Sequence, residues 1–468
     1  MFSFKKNISS SWKIFQQAIK GGEANILEGS IDRAIILLAI PMMLEMVMES
    51  LFAVVDIFFV SKIGVNAIAV VGLTESMLTI IYSLGFGLAM GVTAMVARRV
   101  GEKDINGAAV AGVQAIYLAV FVSILIGIPG LLFSEDLLHL MGATETVIQK
   151  GIGFTKIMLA GNIVIMVIFL INGIFRGAGD AALAMRTLWL SNGINIILDP
   201  MLIFGIGPFP ELGVVGAAVA TTTGRSIGVC YQLYHLFKGK GIIKIHSKNW
   251  QFRSDIIIRL IKVSAGGTAQ FVISSASWIF LMRIVSHFGS TALAGYTLAI
   301  RVMIFTLLPA WGISGAAATM VGQNLGANQP ERAEKSVWRT GIFNMIYMGS
   351  VMIIYLIFAE SLIRFFTNEE EVVVYATKCL VTLSLGYIFY AFGMVMIQSF
   401  NGSGDTRTPT IINFFVFWTL QIPLAYILSI SFSLGPSGAF YAILITESIL
   451  TVTSFLIFRR GKWKLVKI

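Results

Sequence analysis

Apolar stretches of about 20 residues or more recur along the chain from Ala34 to Phe458, and a stretch of that length crosses roughly 30 Å of hydrocarbon as a single helix. Twelve can be counted, in two groups of six: 34–60, 68–96, 107–133, 152–175, 183–205 and 214–237, then 257–285, 292–321, 337–359, 372–400, 411–430 and 437–458. Only helices and closed barrels satisfy every backbone polar group in lipid. Barrel strands are about ten residues long and strictly alternating, which these runs are not. Composition agrees, since 56% of the 468 residues are hydrophobic and 12% charged, against roughly a quarter charged in soluble domains. The expected fold class is an all-α integral membrane protein with twelve transmembrane helices.

Basic residues gather in the amino-terminal segment (Lys5, Lys6, Lys13, Lys20, Arg33) and in alternate connections thereafter, among them Arg98, Arg99, Lys103, Arg176, Arg186, Lys238, Lys240, Lys244, Arg332, Lys335 and Arg407. The tail adds Arg459, Arg460, Lys462, Lys464 and Lys467. Lysine and arginine are retained on the cytoplasmic side, which puts both termini in the cytoplasm and the chain in the cytoplasmic (inner) membrane. The net charge of +10 is this asymmetry. Spread over separate segments, it forms no nucleic-acid face. The expected division is 1–33, a cytoplasmic amino-terminal segment; 34–237, a first lobe with helices 1–6; 238–256, a cytoplasmic linker; 257–458, a second lobe with helices 7–12; and 459–468, a cytoplasmic tail. The first residues lack the apolar core and cleavage site of a signal peptide; Trp12, Ile14, Phe15 and Ile19 suggest a short amphipathic helix on the leaflet surface. Cys230 and Cys379 both fall within spans, which argues against a disulfide framework.

Sliding the chain against itself by 225 residues superposes Gly64 on Gly289, Gly101 on Gly326, Glu135 on Glu360, and "RGAGD" at Arg176–Asp180 on "NGSGD" at Asn401–Asp405. Past the fifth helix the offset becomes 222 and places "ELGVVGAA" at Glu211 on "SLGPSGAF" at Ser433. The halves are copies. An even number of spans per copy keeps both the same way up, about an axis along the membrane normal, and transporters built from such repeats rock one half against the other around a site near the midplane.

The first helix carries Glu45, Glu49 and Asp56, each costing about 2.5–3.5 kcal/mol or more at the centre of a membrane helix. Their repeat equivalents are Gln270, Ser274 and Leu281, so the carboxylates belong to one half only. At about 100° per residue the three lie within roughly 40° of one another, a stripe expected to line a cavity. Asp56 and Asp199 lie at matched depth near one end of helices 1 and 5, Asn195 shares the face of Asp199 at i, i+4, and Thr221 lies two turns into helix 6. Two carboxylates, an amide and a hydroxyl offer oxygen ligands to Na⁺, or a proton site. Pro200 frees a carbonyl beside them. Glu45, Glu49, Met46 and Gln270 are the expected substrate-cavity residues, the thioethers suiting a cavity that accepts many shapes. Arg225 and Glu447, equivalent under the 222 offset, are each expected to have a partner, and Glu75 is read as an interfacial or gating charge. The four histidines show no metal-ligand spacing and no G-x-x-x-x-G-K-[ST] loop is present, so an enzyme is not indicated and no cofactor is expected.

Over nearly its whole length the chain resembles the multidrug and toxic compound extrusion (MATE) family. The resemblance is carried by "IPMMLEMVMESLFAVVDIFFVSKIG" in helix 1, "RGAGD" with "NGINIILDPMLIFG" in helix 5, "GVVGAAVATT" in helix 6, and "VGQNLGANQPERAEKS" and "NGSGDTRTP" in the second half. It implies two six-helix lobes in a V that export organic cations by antiport with H⁺ or Na⁺. In the prokaryotic branch related to the DNA-damage-inducible type, the coupling site uses an Asp in helix 1, an Asn and an Asp four apart in helix 5 and a Thr in helix 6, which match Asp56, Asn195, Asp199 and Thr221 or its neighbour Thr222. Members resembling the NorM type carry carboxylates in helices 7 and 10, where this chain has Gln270 and the aromatic pair Phe389 and Tyr390.

The combined reading is a secondary active multidrug efflux antiporter working by alternating access. Its expected partners are small organic cations and the lipid bilayer, with a monomer as the functional unit. The alternatives are a lipid-linked oligosaccharide flippase of the same superfamily, against which the acidic stripe argues, and a membrane-embedded enzyme, which would need a nucleophile or metal cluster.

Overall fold

The turns at RGAGD and NGSGD show why the two halves fold alike. Gly179 and Gly404 end helices at φ 90° and 91°, the left-handed conformation that carries no Cβ penalty in glycine. A new helix starts at Ala181 in the first copy and at Arg407 in the second. The Asp180 carboxylate accepts from the Leu183 N–H at 3.3 Å and the Asp405 carboxylate from the Thr408 N–H at 3.1 Å, each satisfying an orphan donor of a helix N-terminus.

The computed structural model describes residues 12–21, 26–239 and 241–468; Lys5, Lys6 and Lys240, counted among the basic residues above, lie outside them. The long helices are α1 (Ile31–Ser61), α2 (Val65–Gly101), α3 (Ile105–Leu132), α4 (Glu145–Ala178), α5 (Ala181–Phe204), α6 (Val214–Lys238), α7 (Ser254–Ser286), α8 (Ser290–Gly326), α9 (Pro330–Arg364), α10 (Glu370–Ser384 with Tyr387–Ser403), α11 (Arg407–Ser431) and α12 (Pro436–Arg459). Residues 12–20 form a further helix, with Trp12 stacked on Phe15 at 5.5 Å. Among the described residues there is no strand. Ten of the twelve are long and apolar enough to cross a membrane, and α10 makes eleven if its two pieces count as one span. The remaining helix, α6, has its apolar run interrupted by Thr221, Thr222, Thr223 and Arg225. Several helices outrun the apolar stretches read from the sequence, α8 beginning two residues before and ending five beyond 292–321, because helical hydrogen bonding continues into the polar flanks until a cap or glycine ends it. In α11, Phe414–Gln421 and Ile427–Ser431 are π-wound.

Repeat-related glycines recur at the same structural points. The α4 and α10 helices break at Gly161 and Gly386, which the 225 shift superposes, and only α10 bends sharply there, by 56°. A side chain at Gly161 would meet Thr222 of α6, and one at Gly386 would meet Leu444 of α12. Between the halves, Gly87 of α2 packs against the Thr268 backbone of α7, and Gly312 of α8 against the Met42–Met43 backbone of α1. These are the same contact twice, at positions 225 apart. One large apolar core draws almost wholly on α2–α6 and a second on α7–α12, which makes two six-helix lobes meeting along α1, α2, α7 and α8.

The lobes are closed against each other at the end that carries both termini. Gln323 of α8 donates to the Gly177 carbonyl at the end of α4 (2.8 Å), and Arg98 of α2 donates to the Ser403 carbonyl at the end of α10 (3.2 Å) and to Val466 in the tail (2.9 Å). Arg98 and Gln323 are again 225 apart. Gly101 and Gly326 touch at this crossing, with no room for a Cβ on either. Arg98, counted above as a loop charge, is therefore a buried interlobe residue at 9% exposure. Arg332 of α9 reaches the carbonyls of Ile26, Glu28 and Gly29, and Lys464 of the tail pairs with Glu334.

Candidate functional site

The carboxylates of α1 share a face, and each meets a different neighbour. Glu45 is fully buried. It accepts from Asn172 Nδ2 at 3.2 Å and from the Arg176 guanidinium, both on α4. Asn172 is itself oriented by Gln232 of α6, whose Nε2 donates to its Oδ1 at 2.7 Å. Arg176, read from the sequence as a loop charge, sends its side chain back into the bundle. A buried carboxylate needs such a countercharge.

Glu49 accepts from Asn192 Nδ2 of α5 at 2.9 Å and from Arg225 of α6 at 3.0 Å. Arg225, expected to have a partner, has this one, and its Cζ also lies 5.4 Å from the Phe52 ring centre. Glu447, expected to have one too, makes no side-chain hydrogen bond or ion pair among the described residues. Trp189 Nε1 donates to the Leu44 carbonyl at 3.0 Å and Phe59 meets Phe204 at 6.4 Å, so α5 is held along the length of α1.

Asn195, Asp199 and Thr221 converge. Asn195 Nδ2 donates to Thr221 Oγ1 at 3.0 Å and to Asp199 Oδ1 at 3.3 Å, and all three residues are buried. Asp199 Oδ2 and Asn195 Oδ1 are buried without a partner among the described residues. Asp56 is half-buried, makes no hydrogen bond among the described residues, and lies within electrostatic range of Asp199 and of Glu75 on α2. Among the described residues no three His, Cys, Asp or Glu side chains gather as a metal site, so the oxygen set here is two carboxylates with neutral amide and hydroxyl oxygens. That is a donor set for a proton or a hard monovalent cation.

Between the lobes lies a partly open cleft with a volume of about 90 Å³. Glu45 and Met46 line it; Glu49 and Gln270 do not. Gln270 is buried in a reciprocal amide pair with Asn401 (3.0 and 3.2 Å) and also donates to the Thr406 carbonyl, so both ends of its side chain are occupied within the second lobe. The sequence reading missed the aromatic wall. Phe86 of α2 stacks on Phe271 of α7 at 5.2 Å, and Phe271 meets the edge of Trp311 of α8 at 5.3 Å. It missed Asn172, Arg176 and Asn192 as well. An Asn at i and an Arg at i+4 on α4, and Asn192 one turn from Asn195, were the signals available.

Comparison with known proteins bears on both fold and function. The MatE family model matches the chain twice, over residues 41–201 and 268–427, once per copy of the repeat. The chain is 28% identical over 441 residues to a probable multidrug resistance protein NorM of Thermotoga maritima, covering 93% of each, and 26% identical over 405 residues to the probable multidrug resistance protein YoeA of Bacillus subtilis, covering 86% of this chain and 87% of that one. The outward-facing structure of a multidrug resistance MATE family transporter superposes with a TM-score of 0.88 at 27% identity, over 95% of this chain and 99% of that one.

Proposed function

The chain belongs to the MATE family, and we propose that it is a secondary active multidrug efflux antiporter that exports small organic compounds, cations among them, in exchange for H⁺ or Na⁺. It is a multi-pass membrane transporter rather than an enzyme. The reading places it in the cytoplasmic membrane as a monomer with both termini inside, which makes the closed end of the lobes the cytoplasmic end. The observation that carries the coupling is the pair of partnerless buried oxygens, Asp199 Oδ2 and Asn195 Oδ1, facing an α1 whose Asp56 also lacks a protein donor among the described residues. A buried carboxylate oxygen without a donor is costly, and a proton or Na⁺ removes that cost.

Asp56, Asn195, Asp199 and Thr221 are then the coupling set. Cation occupancy discharges the site and biases the lobes toward the state that releases drug. Each pH unit supplies about 1.4 kcal/mol and each 100 mV about 2.3 kcal/mol per charge, so one or two ions sustain a tenfold or larger drug gradient. In the cleft, Phe86, Phe271 and Trp311 offer ring faces to a flat apolar body, and a cationic group competes with Arg176 for Glu45.

The test uses proteoliposomes loaded with a fluorescent organic cation, under a pH gradient and, separately, a Na⁺ gradient at constant pH. One gradient is expected to drive movement, and Asp56→Asn or Asp199→Asn, which discharge the site permanently, to reduce it to the protein-free background while drug binding stays measurable but no longer responds to the coupling ion. Movement indifferent to both gradients would refute antiport.

A further inference from the structure

Arg225 is 2% exposed, yet only one corner of its guanidinium is satisfied. NH2 donates to Glu49 at 3.0 Å, while Nε and NH1 are buried with no acceptor among the described residues. A guanidinium held this way is expensive as a structural strut. Its placement points to another use. Arg225 lies one turn from Thr221 on α6, Asn192 one turn from Asn195 on α5, and Glu49 two turns from Asp56 on α1, so the same three helices carry two adjacent tiers. One is Glu49, Asn192 and Arg225; the other is Asp56, Asn195, Asp199 and Thr221. The charged and titratable groups facing Arg225 are Glu49 and Asp56 from α1 and Tyr82 from α2, and Glu75 of α2 and Asp199 of α5 complete the surroundings of Asp56.

We propose that Arg225 is a positioning residue, a fixed countercharge that sets the cation affinity of the Asp56–Asp199 tier, with Glu49 governing how much of that charge reaches it. The proposal rests on the reading of that tier as the coupling site. With Glu49 in place only part of the Arg225 charge is compensated, and what remains weakens the aspartates' pull on an incoming cation without abolishing it. Without Glu49 an uncompensated positive charge stands one turn away in a low-dielectric bundle and repels that cation. Without both, Asp56 loses the one cation that acts on it among the described residues, and the tier holds the coupling ion more tightly, so release becomes slow. The cost of tight binding in a transporter is turnover, and Arg225 keeps the ion exchangeable.

The experiment reads the half-saturating concentration of the coupling cation in two ways on the full chain: gradient-driven efflux of a fluorescent organic cation from proteoliposomes, and the cation-dependent rise of the melting temperature in detergent with no drug present. Glu49→Gln is expected to raise half-saturation tenfold or more. The double variant Glu49→Gln with Arg225→Met is expected to lower it below the unaltered chain by a similar factor. A purely structural role would lower the melting temperature of both without moving half-saturation in opposite directions, and that result overturns the proposal. If the double variant does not fold, Arg225→Lys decides with Glu49→Gln: the retained charge should hold half-saturation within threefold, and a shift as large as that of Glu49→Gln overturns the proposal. Asp199→Asn separates the two levels. Ion dependence lost there, with Glu49→Gln unshifted, removes the role of Arg225 alone; ion dependence intact there removes the coupling site and this proposal with it.

Discussion

The two lobes are copies, and the same helices in each solve the problem of buried polarity differently. In the first lobe, α5 and α6 bring together Asn195, Asp199 and Thr221 and leave two oxygens without donors. In the second, Gln421 of α11 accepts from Ser277 of α7 at 2.9 Å and donates to Thr446 of α12 at 3.0 Å, and the Thr446 hydroxyl donates to the Ala442 carbonyl at 2.7 Å. That chain of bonds is neutral and complete. Among the described residues, the buried side-chain atoms without a partner elsewhere in the second lobe are hydroxyls and amide oxygens, such as those of Tyr296, Tyr390 and Asn413, and Glu447 of α12 stands as a lone carboxylate with no side-chain hydrogen bond or ion pair. At this joint the second copy closes its polar groups on one another and holds the helices together, whereas the first leaves a buried carboxylate oxygen for a small cation to satisfy.

The largest effect that tests this contrast is functional. Replacing Gln421 by Ala should leave ion-driven efflux within about threefold of the unaltered chain, while Asp199→Asn abolishes it, both read in the vesicle assay above. Equal losses would mean that the lobes share the coupling and that the contrast is wrong. Next comes the ion pair of the cleft. Arg176→Ala strands Glu45 in the interior and should destabilise the protein by about 3–5 kcal/mol in reversible unfolding from detergent micelles, whereas Arg176→Met combined with Glu45→Gln should recover most of that. A single variant as stable as the unaltered chain would show that Glu45 does not need its partner. The smallest effect concerns the seam that the lobes share. Gln323→Ala removes one interlobe hydrogen bond, worth about 1 kcal/mol, and should shift spin labels placed on the terminal-end loops of the two lobes toward longer separations; unchanged separations would assign the closure to the glycine contacts alone.

Much of this architecture is legible in the sequence. Span length, the 225-residue offset and the GxGD turns anticipate the helices and the like orientation of the lobes, and the paired glycines that the offset superposes (87 with 312, 101 with 326, 161 with 386) turn out to mark the interlobe seam and the helix breaks. The i, i+4 pair Asn195 and Asp199 was legible for the same reason, since helical periodicity alone puts both on one face. Gln270 was not. Its position opposite Glu45 in the repeat made it look like a cavity residue, but an amide finds another amide, and Asn401, 131 residues away, takes it out of reach.

Hydropathy, length and repetition are local or periodic properties, and they already imply a chain that crosses a membrane many times, in two parallel copies, of which only the first carries a carboxylate stripe on its first helix. Tertiary structure decided what each carboxylate became. Glu45 gained a guanidinium from a residue 131 positions away, Glu49 one from 176 positions away, and Asp56 none among the described residues. The physical reason is that a buried charge is defined by what surrounds it, and in a helix bundle those surroundings are contributed by other helices, at depths and rotations that spacing along one helix does not encode.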